Sequence, residues 1–363
     1  SLIKLFSPLG RWKRMKSKIH NINVVAKEKL PSPKALKDTL PLSNKARKTV
    51  LSKRKELMSI LDGKDSRLVV VVGPCSIHDT DLAKDYASRL KDLSKEVEDA
   101  FLILMRVYFE KPRTTTGWKG LINDPNIDDT FQIDKGIHIA RSLLIDLNEM
   151  GLGVATEALD PIMPQYLGDL TSWTAIGART AESQTHREMA SGLSTPVGFK
   201  NGTDGSLAVA VNAIKSSRQS HHFLGLNDGG RITVYQTKGN KYSHVVLRGG
   251  AKPNYDSRSI QSCETKLNDS DLPMKIMVDC SHGNTNKDYR LQPKVAKSIV
   301  NQVKKGNQSI MGIMLESNIN EGNQKITENL DDLKYGVSLT DACINWETTE
   351  NLLMNLRTAL ISK

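Results

Sequence analysis

The sequence predicts an α/β fold, a closed (β/α)8 TIM barrel with an N-terminal extension and an inserted β-hairpin, and three observations carry that expectation. Eight short apolar runs recur along the 363 residues, with room for a helix between most neighbours. Each run is continuous rather than alternating, the pattern of strands buried on both faces of a parallel sheet. Each also leads into a residue able to bind an anion or a metal or to move a proton, and such barrels gather their chemistry at the C-terminal ends of the strands. The runs 69–72, 102–105, 153–156, 175–178, 196–199, 245–247, 276–278 and 310–315 lead in turn to Cys75, Arg106, Glu157, Arg179, Lys200, Arg248, His282 and Glu316.

Ahead of the first strand, residues 1–65 read as a basic extension. The stretch 1–67 holds 18 Lys and Arg against 5 acidic residues, so it carries +13 where the whole chain carries +11, and the remainder is nearly neutral. Such an arm could touch nucleic acid or an acidic membrane surface. Its stacking aromatics are sparse, so nucleic acid is set aside in favour of a solvated extension that aids subunit contacts. The chain opens on Ser, and Met15 is a candidate start that would make residues 1–14 a non-native leader. Residues 16–40, with Pro31 and Pro33, are expected to be extended or irregular. One amphipathic helix is expected over 43–61, capped by Ser43 and stopped by Gly63.

Within 66–363, the catalytic barrel, helices are expected at 81–95, 133–150, 161–170, 182–193, 206–217, 294–305 and 346–362, with Asp81 and Ser206 suited to N-caps. Residues 221–243 break the rhythm. Two strand-like runs, 221–226 and 231–236, flank Asn227-Asp228-Gly229-Gly230, a hairpin turn. This hairpin reads as an insertion serving regulation or oligomer contacts. No apolar run approaches the ~18–20 residues of a membrane span. Four cysteines without C-x-x-C spacing argue against a disulfide framework and for a reducing cytoplasm.

The strand-end residues sort into two chemistries. Cys75, His282, Glu316 and Asp341 offer one thiolate, one imidazole and two carboxylates, a set of mixed softness suited to a divalent transition ion. Arg106, Lys111, Arg113, Arg179, Lys200 and Arg248 would crowd six cations round one barrel mouth, which demands a polyanionic ligand. A purely structural ion-pair network would need matching carboxylates, and Glu157 is the only evident one.

Eight stretches resemble type I 3-deoxy-D-arabino-heptulosonate 7-phosphate (DAHP) synthase. They are 73–78 (Gly-Pro-Cys-Ser-Ile-His), 106–114 (Arg-Val-Tyr-Phe-Glu-Lys-Pro-Arg-Thr), 176–180, 196–202, 247–250, 279–284 (Asp-Cys-Ser-His-Gly-Asn), 315–317 and 339–343 (Leu-Thr-Asp-Ala-Cys). The likeness runs from about residue 40 to the C-terminus with the motifs in order. It implies condensation of phosphoenolpyruvate (PEP) with erythrose 4-phosphate and water, giving DAHP and phosphate, the first step of the shikimate pathway. It further implies that Cys75, His282, Glu316 and Asp341 hold one divalent ion per subunit (Mn²⁺, Fe²⁺, Co²⁺ or Zn²⁺). Arg106, Lys111, Arg179, Lys200 and Arg248 would grip PEP, and Lys111, Pro112, Arg113 and Thr114 the sugar phosphate. Lys111 or a water on the metal would protonate the new alkoxide, and Glu157 would orient the attacking water. The 5-carbon-sugar relative, 3-deoxy-D-manno-octulosonate 8-phosphate synthase, is disfavoured by the Lys-Pro-Arg-Thr run and by the hairpin.

Feedback inhibition by one aromatic amino acid is also implied, in a pocket lined by Asp160, Pro161, Gln165, Ser194, Phe223 and Gly225. Pro161 and Gly225 look like the tyrosine-sensitive branch, Gly225 leaving room where phenylalanine-sensitive members tend to carry Ser. The resemblance implies a homodimer or homotetramer.

Overall fold

Eight parallel strands close on themselves in a computed structural model that describes residues 19–362. The expected leader 1–14 and start Met15 lie outside the described residues. In chain order the strands are β1 (Leu68–Gly73), β2 (Phe101–Arg106), β3 (Gly153–Glu157), β4 (Trp173–Ile176), β5 (Val197–Lys200), the hairpin pair β6 (His222–Leu226) and β7 (Ile232–Gln236), then β8 (Ser243–Leu247), β9 (Ile276–Asp279) and β10 (Ile310–Glu316). The barrel order is β1-β10-β9-β8-β5-β4-β3-β2, with β1 paired to both β2 and β10. Side chains alternate between two apolar layers, as strand geometry requires. Val69 and Val71 of β1 face the barrel interior with Leu102, Leu104, Ala155, Trp173 and Met314, while Leu68, Val70 and Val72 face the surrounding helices.

The helices are α1 (Pro33–Thr39), α2 (Asn44–Leu61), α3 (Thr80–Glu96), α4 (Ile133–Glu149), α5 (Met163–Leu167), α6 (Gln184–Gly192), α7 (Leu207–Ser217), α8 (Ser257–Asn268), α9 (Gln292–Lys304) and α10 (Trp346–Ile361). Several depart from expectation; α3, for one, is capped by Asp79, which accepts from Asp81 N and Leu82 N, rather than by Asp81. Residues 16–40 are not wholly irregular, because Ser32 accepts from Ala35 N and Pro33 occupies the first helical turn of α1. Pro33 thus starts a helix rather than breaking one. Another, α8, has a strongly polar sequence whose only apolar stripe is Ile260, Cys263 and Leu267; Asp256 caps it by accepting from Arg258 N and Ser259 N. The helix expected over 161–170 shortens to α5, followed by a 3-10 turn over Gly168–Leu170.

The floor of the barrel is supplied by α2. Its Leu57, Ile60 and Leu61 join the interior apolar cluster, and Arg54 donates to the carbonyls of Thr171 and Gly168. Above it, Trp173 Nε1 donates to His244 Nε2 at 3.0 Å. The hairpin stands outside the barrel, with Phe223 stacked on Tyr235 and with Leu224, Ile232 and Val234 exposed by 73%, 81% and 64%. The extension packs against the hairpin tip: Lys34 N donates to Asp228 O at 2.8 Å and Lys37 Nζ pairs with Asp228 Oδ1 at 2.9 Å. No helix among the described residues is long and apolar enough to cross a membrane.

Candidate active site

Four groups scattered over 267 positions of sequence meet at the C-terminal rim. Ligand atoms of Cys75, Glu316 and Asp341 all lie within 4.8 Å of one another. His282 joins them, its Nε2 3.7 Å from Glu316 Oε1 and 3.6 Å from Asp341 Oδ2. Cys75 and Glu316 are buried, whereas Asp341 is 54% exposed on the loop after β10. His282 adopts a left-handed backbone, φ +53°. The next residue, Gly283, lies so close to Gly249 that a Cβ on either would approach the other's backbone to 2.6 Å or less. Glycine at both positions lets the loops after β8 and β9 pack backbone to backbone, which fixes where His282 stands.

Asp279 is the site residue that sequence reasoning did not single out. Fully buried at the end of β9, its Oδ2 lies 2.8 Å from His282 Nδ1 and 3.0 Å from Lys200 Nζ. Burial alone would raise its pKa, but His282 and Lys200 outweigh burial and hold the carboxyl well below the usual range. A carboxylate three residues before a candidate ligand histidine was the available signal, since ligating imidazoles characteristically find a carboxylate on their second nitrogen. Glu316 behaves alike: burial opposes ionisation, yet His282, Arg106 and Lys111 bring its pKa down to about 2. Ser281 Oγ donates to Glu316 Oε2 at 2.9 Å. Burial, with Glu316 adding, pushes the Cys75 thiol up, against the pull of Lys111 and Arg106.

The cations are therefore not left with Glu157 as their one counter-charge, as the sequence suggested. Arg106 Nη2 lies 3.1 Å from Glu316 Oε1, and Lys200 pairs with Asp279. Both carboxylates end apolar strands, so only closure of the barrel reveals them as partners. Arg106 also donates to Pro74 O at 3.1 Å and Cys75 O at 3.3 Å. Lys111 Nζ sits 3.1 Å from Cys75 O and 3.3 Å from Cys75 Sγ. Burial would lower its pKa, but Cys75, Glu316 and Glu157 raise it despite Arg106, so the ammonium keeps its proton.

Arg248 N is anchored by Asn201 Oδ1 at 2.8 Å, and its guanidinium is within electrostatic reach of Asp279, Arg179, Asp341 and Glu316. Arg179 is exposed and donates to Thr114 Oγ1 at 3.2 Å, tying the loop after β4 to the loop after β2. On that second loop Arg113 and Thr114 are exposed and Pro112 half-buried. Glu157 is buried, its Oε1 without a hydrogen bond among the described residues, and a Cβ on Gly177 would press against that oxygen.

A separate cavity of about 1060 Å³ lies beside the hairpin. Pro161, Gln165, Ser194, Phe223 and Gly225 line it, as the resemblance implied. Asp160 is not in the lining, because its Oδ1 turns to accept from Ile162 N at 2.8 Å just ahead of α5. A Cβ on Gly225 would meet the Tyr235 ring at 2.8 Å, so Tyr235 already occupies part of the room glycine leaves. A smaller cavity of about 340 Å³ shares Gln165 and Ser194 with the first and reaches Glu110 and Glu157. There burial and the Asp160 charge push the Glu110 carboxyl up to about 8.

Residues 39–354 match the model of the DAHP synthetase I family. Over 341 residues the chain is 55% identical to the Tyr-sensitive phospho-2-dehydro-3-deoxyheptonate aldolase of Escherichia coli (strain K12), covering 94% of this chain and 96% of the relative. The Phe-sensitive counterpart from the same organism is 51% identical over 334 residues, 92% of this chain and 95% of the relative. Among solved structures, the phospho-2-dehydro-3-deoxyheptonate aldolase of Francisella tularensis SCHU S4 superposes with a TM-score of 0.90 at 48% identity, covering 92% of this chain and 97% of that one.

Proposed function

The chain belongs to the DAHP synthetase I family and is a phospho-2-dehydro-3-deoxyheptonate aldolase of aromatic biosynthesis; from that premise we propose how its residues divide the work. The carboxylate and phosphate of PEP lie against Arg106, Arg179, Lys200 and Arg248, with Lys111 between the two substrates. Arg113 and Thr114, exposed on the rim, take the phosphate of erythrose 4-phosphate, with Pro112 shaping that turn. The new C–C bond joins the enol carbon of PEP to the sugar aldehyde carbon. Water adds to the PEP carbon bearing phosphate, and the phosphate leaves from that carbon.

Cys75, His282, Glu316 and Asp341 would hold a divalent transition ion: the ligand atoms of Cys75, Glu316 and Asp341 lie within 4.8 Å of one another, His282 Nε2 stands 3.7 Å from Glu316 Oε1 and 3.6 Å from Asp341 Oδ2, and Glu316 Oε1 receives no directed hydrogen bond among the described residues. Held by these residues, such an ion would supply Lewis acidity toward the sugar aldehyde. Lys111, kept protonated beside Cys75, delivers a proton to the alkoxide oxygen formed at that aldehyde. Glu157 Oε1, buried and unbonded, orients the water that adds to PEP. The guanidinium groups stabilise charge on the departing phosphate.

The convergence of Cys75, Glu316 and Asp341 carries this reading. In Cys75→Ala, metal titration should show lost affinity and phosphate release should fall to background while circular dichroism stays native. Unchanged metal affinity would remove the thiol from the site. Turnover of arabinose 5-phosphate in place of erythrose 4-phosphate would overturn the substrate assignment.

The hairpin cavity is proposed to bind tyrosine as feedback inhibitor, in keeping with the greater identity to the Tyr-sensitive relative. Saturating tyrosine should depress activity; depression by phenylalanine alone would reverse the assignment. The exposed apolar hairpin face fits burial against a second copy in a homodimer or homotetramer, which sedimentation tests. Four free, buried cysteines fit a cytoplasmic setting.

A further inference from the structure

The barrel mouth holds a buried polar atom for which the reading above names no occupant. Tyr108 is 1% exposed and its hydroxyl has no hydrogen-bond partner among the described residues. The two-residue alternation that turns Leu102 and Leu104 to the barrel interior continues through Arg106 to Tyr108, which joins the same interior cluster. Ile77 N donates to Tyr108 O at 3.0 Å, so the residue is pinned against the turn that carries Cys75. Its ring face lies 3.7 Å from the Arg106 guanidinium carbon, and Lys111 Nζ stands 5.7 Å from the ring centre.

Three other buried atoms at this mouth lack a directed hydrogen bond among the described residues: Glu157 Oε1, Glu316 Oε1 and His282 Nδ1, the last standing 2.8 Å from Asp279 Oδ2. The first has a water to orient and the second an ion to hold. Tyr108 has neither. A phenylalanine would present the same π face to Arg106. The hydroxyl adds a desolvated donor, which is unfavourable in a folded protein unless something accepts from it. Glu157, Asp279 and Glu316 lie within electrostatic reach of that hydroxyl, so it sits among the groups that surround the reacting atoms.

We propose that Tyr108 donates a hydrogen bond from its hydroxyl to the substrate anion gripped by Arg106, while its ring holds the Arg106 guanidinium in line for the same anion. The ligand is an enol ester bearing carboxylate and phosphate, so the inference rests on the assignment of Arg106 to PEP. The neutral O–H adds reach without adding another positive charge to a mouth already rich in cations. It also makes part of the binding energy specific to an acceptor oxygen rather than to charge alone.

The test is steady-state kinetics on the metal-loaded enzyme, varying PEP and erythrose 4-phosphate separately, for wild type, Tyr108→Phe, Tyr108→Leu and Arg106→Met. Metal affinity by titration and the thermal midpoint are measured on each. Tyr108→Phe should lower kcat/KM for PEP about ten- to a hundredfold, the loss of a hydrogen bond to a charged group. Its KM for erythrose 4-phosphate, metal affinity and thermal midpoint should stay at wild-type values. Tyr108→Leu should lose about a further tenfold on PEP, because Arg106 is no longer held by a ring face.

Wild-type PEP kinetics in Tyr108→Phe overturn the inference, as does a fall in thermal midpoint that accompanies equal losses for both substrates. Should Arg106→Met leave PEP kinetics untouched, the assignment beneath the inference fails instead. A normal Tyr108→Phe beside a defective Arg106→Met sinks the Tyr108 inference alone.

Discussion

Asp279 serves two groups with one carboxylate, facing the candidate ligand His282 and the cation Lys200 together. Asp279→Asn should therefore weaken metal binding about ten- to a hundredfold by freeing the imidazole, read by titration of metal into the stripped protein. Unaltered affinity would deny it that role. Cys75, His282, Glu316 and Asp341 were legible in the sequence because each residue type announces its own chemistry. Asp279 and Tyr108 were not: the pairing of Asp279 with Lys200 appears only when the barrel closes, and nothing in the sequence shows that the Tyr108 hydroxyl is buried without a partner among the described residues. His244 makes a second residue-scale case. Its Nδ1 lies 2.9 Å from Tyr242 O and its Nε2 accepts from Trp173, so the buried ring is neutral. Burial pushes its pKa from 6.5 down to about 4. A proton therefore prefers the unfolded chain, and this stability is present above pH 6.5 and lost as pH falls toward 4. His244→Gln should shrink the stability difference between pH 7 and pH 5 by about 2 kcal/mol, measured by urea unfolding at both values. An unchanged difference would show that other groups set the slope.

Among elements, the loop between β10 and α10 has the most to do with how little surface it buries. It carries Asp341, the exposed member of the candidate ion-binding trio, and must bring it back over the rim. Bridges from Ser317 to Ile344 and from Gly322 to Cys343 fold the loop on itself. Ser76 Oγ then bonds Thr340 Oγ1 at 2.7 Å, tying the residue after Cys75 to the residue before Asp341. Ser76→Ala should cost metal affinity about fivefold, near the worth of one hydrogen bond, and leave the fold intact by circular dichroism. A larger defect in Thr340→Val than in Ser76→Ala would mean that Thr340 has a second task. Elements were readable where apolar spacing was dense, as in α3 and α4, and unreadable in α8, whose three buried residues leave too thin a stripe. The hairpin was readable from its turn residues, whereas the helical start at Pro33 was taken for a break.

At the scale of the molecule, the barrel was legible because continuous apolar runs have few other uses, and the strand ends named the working rim. What closes the opposite end was not legible. The amphipathic pattern of α2 shows that one face is buried but not against what, and the answer is the barrel interior itself. Leu57→Ala should open a cavity beneath that interior and destabilise the protein by about 3 kcal/mol, measured by chemical denaturation, with smaller effects on the rim. Equal loss of stability and of metal affinity would mean that floor and rim are coupled more tightly than their separation suggests.

The pairing of Gly73 with Glu316 has one more consequence. The first and last strands meet there, so the cylinder's seam is stitched only when the final strand has been synthesised. Cys75 stands on one lip of that seam and Glu316 on the other. A bound ion would act as a clasp across it, and stripping the ion should quicken amide exchange along β1 and β10 ahead of every other strand.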